Sequence, residues 1–106
     1  ESLGLLAPGE SLSRFYMHGT GHWLGMDVHD VGKYQHNQQH RSFKKGMVIT
    51  VEPGIYIRKD DKINPIYHDI GIRIEDDVLV TDTGNTVLTK NLVKTINEIE
   101  TLMSKN

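Results

Sequence analysis

Ile70-Gly71-Ile72-Arg73-Ile74-Glu75-Asp76-Asp77-Val78-Leu79-Val80-Thr81 is the stretch that decides the fold class of this chain. Ile70, Ile72 and Ile74 alternate with Gly71, Arg73 and Glu75. A period of two places the isoleucines on one face of a strand over 70–77, with Arg73 and Glu75 on the other. Gly71 clears space on that second face. An exposed arginine–glutamate pair is worth little on its own, but Asp76 and Asp77 directly afterwards concentrate negative charge and fit a cation site slightly better.

Working outward, the neighbouring segments also read as strands. Gly46-Met47-Val48-Ile49-Thr50-Val51-Glu52 is a buried-type strand closed by Pro53-Gly54, and Ile55–Ile57 is a short one leading into a charged loop from Arg58 to Asn64. The turn cluster Asp82-Thr83-Gly84-Asn85 precedes a return strand, Thr86–Thr89. Residues 1–14 and 33–45 suit connecting loops. At the far end, Thr95 with Glu98 makes a capping box for a helix whose Ile96, Ile99, Leu102 and Met103 share one face. Strands dominate and one helix closes the chain, which makes the fold class α+β.

Composition narrows the function. The chain has 106 residues, about one small domain or part of a larger one. Its hydrophobic share of 37% and charged share of 25% are those of an ordinary globular protein. No apolar run approaches the ~20 residues that span a bilayer. A formal charge of −2 gives no reason to expect nucleic acid or a membrane surface as partner. Cysteine is absent, so neither a disulfide framework nor a thiolate nucleophile or ligand is available, and a reducing, cytoplasmic setting is expected. The opening Glu1-Ser2-Leu3-Gly4 has no initiator methionine or signal-peptide pattern and reads as a sequence entered midway.

The candidate chemistry lies in histidines and carboxylates. His18 and His22 are spaced four apart, as on one face of a helix. Gly19 and Gly21 interleave them at about 1 kcal/mol each in a helix interior, so an irregular extended segment is expected, with backbone approaching closely at the glycines. His29 sits between Asp27 and Asp30. In an extended segment Asp27 and His29 point the same way, and flanking aspartates can hold an imidazole in one tautomer. Glu52 ends an apolar run, so burial with partners is expected, and Pro53 holds it extended. One histidine and two carboxylates on separate strands can converge on a divalent ion, with Mn, Co, Fe or Zn preferred over Ca.

Three blocks in order carry a resemblance. Phe15–Gly32, containing His18-Gly19-Thr20-Gly21-His22-Trp23-Leu24-Gly25, resembles the central metal-site block of the aminopeptidase P family. Met47–Ile57, with Val51-Glu52-Pro53-Gly54, resembles the next, and Ile70–Gly84 the third. The resemblance implies the C-terminal half of a pita-bread (creatinase/aminopeptidase) fold, a mostly antiparallel curved sheet with a C-terminal helix, occupying residues 1–106. It implies two divalent metal ions, manganese foremost, acting as Lewis acids in hydrolysis of peptides with proline in second position. His22, Glu52 and Glu75 match the metal ligands, and Glu52 also a proton shuttle. His18 and His29 match histidines that orient substrate and stabilise the tetrahedral intermediate, and Arg73 a residue that positions acidic groups.

The resemblance also sets limits. The family centre uses two further aspartate ligands that no segment here matches, so the isolated chain is expected to be inactive and to hold metal weakly if at all. Uncovered apolar faces lead to an expectation of homo-oligomers. Prolidase shares all three blocks, but Trp23 and the connection from Gly54 to Gly71 look more like aminopeptidase P. A non-catalytic peptide-binding module is the reading from a different class, and retention of His22, Glu52 and Glu75 argues against it.

Overall fold

A computed structural model describes residues 3–60 and 62–104. Glu1, Ser2 and Asp61 of the segments read above lie outside the described residues. In chain order the strands are β1 (Gln35–His36), β2 (Gln39–His40), β3 (Val48–Val51), β4 (Gly54–Ile57), β5 (Ile70–Arg73), β6 (Asp76–Val80) and β7 (Asn85–Val87), followed by the helix α1 (Ile96–Met103). Every strand pairing among them is antiparallel.

The strand expected over 70–77 is divided into β5 and β6, and the cause lies in its partner. Pro53 has no N–H for a ladder, so β3 and β4 are separate strands, and the facing strand parts at the same place. β4 pairs with β5 through Gly54↔Arg73 and Ile57↔Ile70, and β3 pairs with β6 through Val51↔Asp76 and Val48↔Leu79. The register is the same on both sides of the break, and Ile74 N–H donates to Pro53 C=O across it (3.1 Å). The two halves therefore form one antiparallel ribbon with a gap, in which Glu52 falls opposite Glu75.

The segment holding His18 and His22 is extended, as its glycines suggested. Leu24 N–H donates to Val48 C=O, Thr50 N–H to His22 C=O and Glu52 N–H to Thr20 C=O (3.1, 3.0 and 2.7 Å), which lays residues 20–24 along the free edge of β3. A Cβ at Gly21 would lie 2.0 Å from Thr50 C=O, so this approach admits only glycine.

Other parts depart from the sequence reading. The 33–45 connection contains the exposed hairpin β1–β2, whose turn residues Asn37 and Gln38 both have positive φ (49° and 63°). Tyr34, at its base, stacks on Trp23 at 5.4 Å. The return strand is Asn85–Val87 rather than 86–89. The buried core is small, with Leu5, Phe15, Ile57 and Ile63 at its centre and Leu6, Ile55 and Tyr67 against it.

The helix α1 has its capping box in place. Thr95 accepts from Glu98 N–H, and the Glu98 carboxylate accepts from Thr95 N–H. The Thr95 hydroxyl also donates to the Glu98 carboxylate (2.7 Å), and this bond first, with the backbone N–H donations after it, holds the Glu98 carboxyl below the usual carboxylate range. None of the helix residues is buried. Just before the cap, Lys94 Nζ donates to Thr89 C=O and Leu92 C=O and pairs with Asp76 (2.9, 3.1 and 3.0 Å).

The contact at Gly21 gives a direct test of the pairing. Gly21→Ala is expected to destabilise the chain by about 1–3 kcal/mol, seen as a lower midpoint in urea. An unchanged midpoint would show that residues 20–24 do not lie against β3.

Candidate metal centre

Because side chains alternate along the ribbon, its common register sets one row of residues on a single face. Thr50, Glu52, Gly54 and Tyr56 come from one side, and Asp77, Glu75, Arg73 and Gly71 face them. His22 joins this face from the added edge segment. One atom each of His22, Glu52 and Glu75 lies within 4.8 Å of the other two. Imidazole with two carboxylates is a donor set for a divalent transition metal. The three side chains grade from buried Glu52 through half-buried His22 to exposed Glu75.

His22 and Glu52 are oriented by their neighbours. His22 Nδ1 lies 3.0 Å from Trp23 C=O. A carbonyl only accepts, so Nδ1 carries the proton and Nε2 is free to coordinate. That Nε2 lies 3.3 Å from Glu52 Oε1. Glu52 is 7% exposed, and a buried carboxylate needs partners. Thr50, 2% exposed, accepts from His22 N–H (3.0 Å) and donates to Glu52 Oε1 (2.9 Å). Arg73 Nη1 stands 3.6 Å from Glu52 Oε2. Arg73 thus turns to Glu52, with Glu75 acting on it at longer range. The Tyr56 hydroxyl, then the Glu52 and Glu75 charges, raise its tendency to stay protonated despite partial loss of hydration.

His29 reaches the centre by a different route from the one expected. Residues 25–30 form a bent loop, closed by hydrogen bonds from Asp30 N–H to Trp23 C=O (3.0 Å) and from Gly25 N–H to Asp27 C=O (3.2 Å). The Asp30 carboxylate accepts from Val31 N–H and fills the side-chain space of Gly25. This fold-back sets the His29 ring 4.2 Å from that of His22. His18 is committed elsewhere, with Nδ1 2.7 Å from Gly19 C=O and Nε2 2.8 Å from the Tyr56 hydroxyl.

Asp76 is not at the centre. It accepts from Thr89 Oγ1 (2.5 Å) and from Lys94, and these bonds, Thr89's first, hold its carboxyl below the usual range. Two residues of the site were passed over in the sequence, Thr50 and Tyr56. Their spacing of two and four from Glu52 was the available signal.

The model of metallopeptidase family M24 matches residues 3–82. Xaa-Pro aminopeptidase of Haemophilus influenzae is 54% identical over 95 residues, which are 90% of this chain and 22% of that protein. Proline aminopeptidase P II from Yersinia pestis superposes with a TM-score of 0.88 at 49% identity, covering 99% of this chain and 26% of the other. Zn-substituted aminopeptidase P of Escherichia coli, solved in complex with product, gives 0.88 at 47% identity over 98% and 25%. The chain spans about a fifth of the length of the curated relative and about a quarter of the solved ones. The pita-bread fold expected from the sequence is the fold of these neighbours.

Two carboxylates facing each other across a ribbon repel when no cation lies between them. In metal-free buffer Glu75→Gln is expected to stabilise the chain by about 0.5 kcal/mol. Millimolar Mn²⁺ is expected to raise the melting temperature of the unaltered chain but not that of the variant. Thermal melts with and without Mn²⁺ measure both effects. A variant that melts lower without metal, or still responds to it, would contradict the arrangement.

Proposed function

The chain belongs to metallopeptidase family M24, and from that premise we propose that it forms part of the catalytic domain of a Xaa-Pro aminopeptidase, an enzyme that removes the residue preceding proline from peptide N-termini. The observation carrying this reading is the register that opposes Glu52 and Glu75 beneath His22. The high identity to Xaa-Pro aminopeptidases supports the substrate class.

His22 through Nε2, with Glu52 and Glu75, would hold divalent metal, two ions of manganese in the complete centre. Bound there, the metal supplies Lewis-acid polarisation of the scissile carbonyl. Glu52, fixed by Thr50 and Arg73, is the group placed to take up a proton and return it to the leaving amine. His29 is exposed beside His22 and open to a substrate oxygen. His18 has both nitrogens engaged, so it orients substrate through its ring. Three donors bind an ion weakly, so the 106-residue chain by itself is proposed to be inactive, with two further carboxylates completing the centre.

Self-association is the second part of the proposal. Apart from Asp76, the face of the ribbon opposite the metal ligands is apolar, and Ile72 and Ile74 on it are 52% and 49% exposed. On α1, Ile96, Leu102 and Met103 are 74%, 57% and 69% exposed. Faces of this kind favour association. A chain without cysteine fits a reducing compartment, and we place it in the cytoplasm.

Two measurements test these readings. The full-length protein with Mn²⁺ is expected to cleave Xaa-Pro-Yaa peptides, and Glu52→Gln to lower kcat at least about a hundredfold. Turnover of Xaa-Pro dipeptides alone would identify a prolidase, and no turnover with metal bound a peptide-binding module. In sedimentation equilibrium at micromolar concentration the chain is expected to exceed its 12.0 kDa monomer mass, and a clean monomer would refute the association.

A further inference from the structure

Glu75 differs from Glu52 and His22 in having no support of its own. Among the described residues its carboxylate has no hydrogen bond and no ion pair, and the side chain is exposed. Its direction is therefore set by the backbone on either side. Before it, the ribbon is closed by the bond from Ile74 N–H to Pro53 C=O. After it, β6 is paired with β3 on one edge through Val51↔Asp76, whereas the ladder to β7 on the other edge begins only at Val78↔Val87. Asp76 and Asp77, the two residues that follow Glu75, are left to other partners along that second edge.

Thr89 and Lys94 are those partners. Continuing the β6–β7 register sets Leu88 opposite Asp77 and Thr89 opposite Asp76. Leu88 N–H donates to Asp77 C=O at 2.8 Å, as an antiparallel ladder requires. The return bond is different, because Asp77 N–H goes to the Thr89 hydroxyl at 3.1 Å and not to a carbonyl. That hydroxyl donates its own proton to Asp76 Oδ1 at 2.5 Å, so one group serves both residues. Lys94 closes the arrangement. Its ammonium has three hydrogens, and three oxygens meet it: Asp76 Oδ1 at 3.0 Å, Thr89 C=O at 2.9 Å and Leu92 C=O at 3.1 Å. From Lys90 to Ser104 every residue is exposed except Lys94. Lysine is ordinarily among the most exposed residue types, so its cover here marks a contact that the fold maintains.

We propose that Thr89 and Lys94 are positioning residues, which clasp Asp76 behind the ribbon and thereby hold Glu75 on the side that carries His22 and Glu52. Side chains alternate along the strand, so fixing Asp76 on one face fixes Glu75 on the other. The consequence for metal binding rests on the metal-centre reading above, while the consequence for the backbone does not. Without the Thr89 hydroxyl, Asp77 N–H has no acceptor, and β6 is paired on one edge only where it joins Glu75. A ligand without bonds of its own then samples more positions, and an incoming ion has to order it.

The test compares three variants of the full-length protein. Thr89→Val removes the hydroxyl at nearly constant shape, Thr89→Ser keeps it, and Lys94→Met keeps the stem without the charge. Deuterium exchange of the backbone over residues 75–78 is read by mass spectrometry. The Mn²⁺ dissociation constant is read from the electron paramagnetic resonance of the free ion. Thr89→Val and Lys94→Met are expected to speed exchange over 75–78 about three- to tenfold and to weaken Mn²⁺ binding about tenfold or more. Thr89→Ser should leave both readings close to those of the unaltered protein, a rescue that mere filling of space would not give. Unchanged exchange or unchanged Mn²⁺ affinity in Thr89→Val overturns the proposal, as does a Thr89→Ser protein as impaired as Thr89→Val. If Thr89→Val does not fold, Lys94→Met is judged by the same two readings. An unaltered protein that binds no Mn²⁺ would instead overturn the metal-centre reading, and unchanged exchange over 75–78 in the variants would still refute the clasp.

Discussion

The antiparallel register carried unchanged across the Pro53 break governs the rest of the molecule. In an unbroken ribbon, Glu52 and Glu75 would be held by ladder hydrogen bonds on both flanks. The missing Pro53 N–H opens the ladder where the carboxylates face each other, and the backbone resumes in step beyond them. A slip of one residue would send Glu75 to the opposite face, among the isoleucines. That face carries the isoleucines and the other the metal ligands, so the hydrophobic pattern and the metal ligands favour the same alignment.

Glu52 is the costly element of this arrangement, and its surroundings follow from that. A carboxylate 7% exposed must be met by donors. Thr50 supplies one from its own strand, Arg73 a charge from the facing strand, and His22 an imidazole from the edge segment. The last of these depends on Gly21, because only a glycine lets residues 20–24 come close enough to β3. A backbone constraint at one residue thus becomes a side-chain distance at the next.

Much of this was legible from residue pattern. The alternation at 70–75 gave the face shared by Arg73 and Glu75, the apolar run before Glu52 gave its burial, and the glycines at 19 and 21 gave the extended edge. Thr95 and Glu98 gave the helix start. Contacts distant in sequence were harder to see. The pairing of Asp76 with Lys94 spans a turn and a strand, so Asp76 read as part of the acidic site when it has its own cation. The loop that brings His29 to His22 is closed by backbone hydrogen bonds, which leave no side-chain pattern. The strand reading of Ile55–Ile57 did not single out Tyr56, whose placement depends on the space over Gly54 and Gly71. The division of the 70–77 strand was implicit in Pro53, but on the partner strand rather than its own.

The helix α1 has a different standing from the sheet. Its start is secured within its own first turn, and it buries none of its residues. Its link to the sheet runs largely through Lys94, which gathers Asp76 and two carbonyls just ahead of the cap. An element held by local bonds and one ionic anchor opens at a free energy of its own, below that of the sheet. The chain is in this sense expected to open as two units. The helix is expected to melt and re-form while the ribbon stays paired, and raised ionic strength to weaken its Lys94–Asp76 anchor before it disturbs the strands.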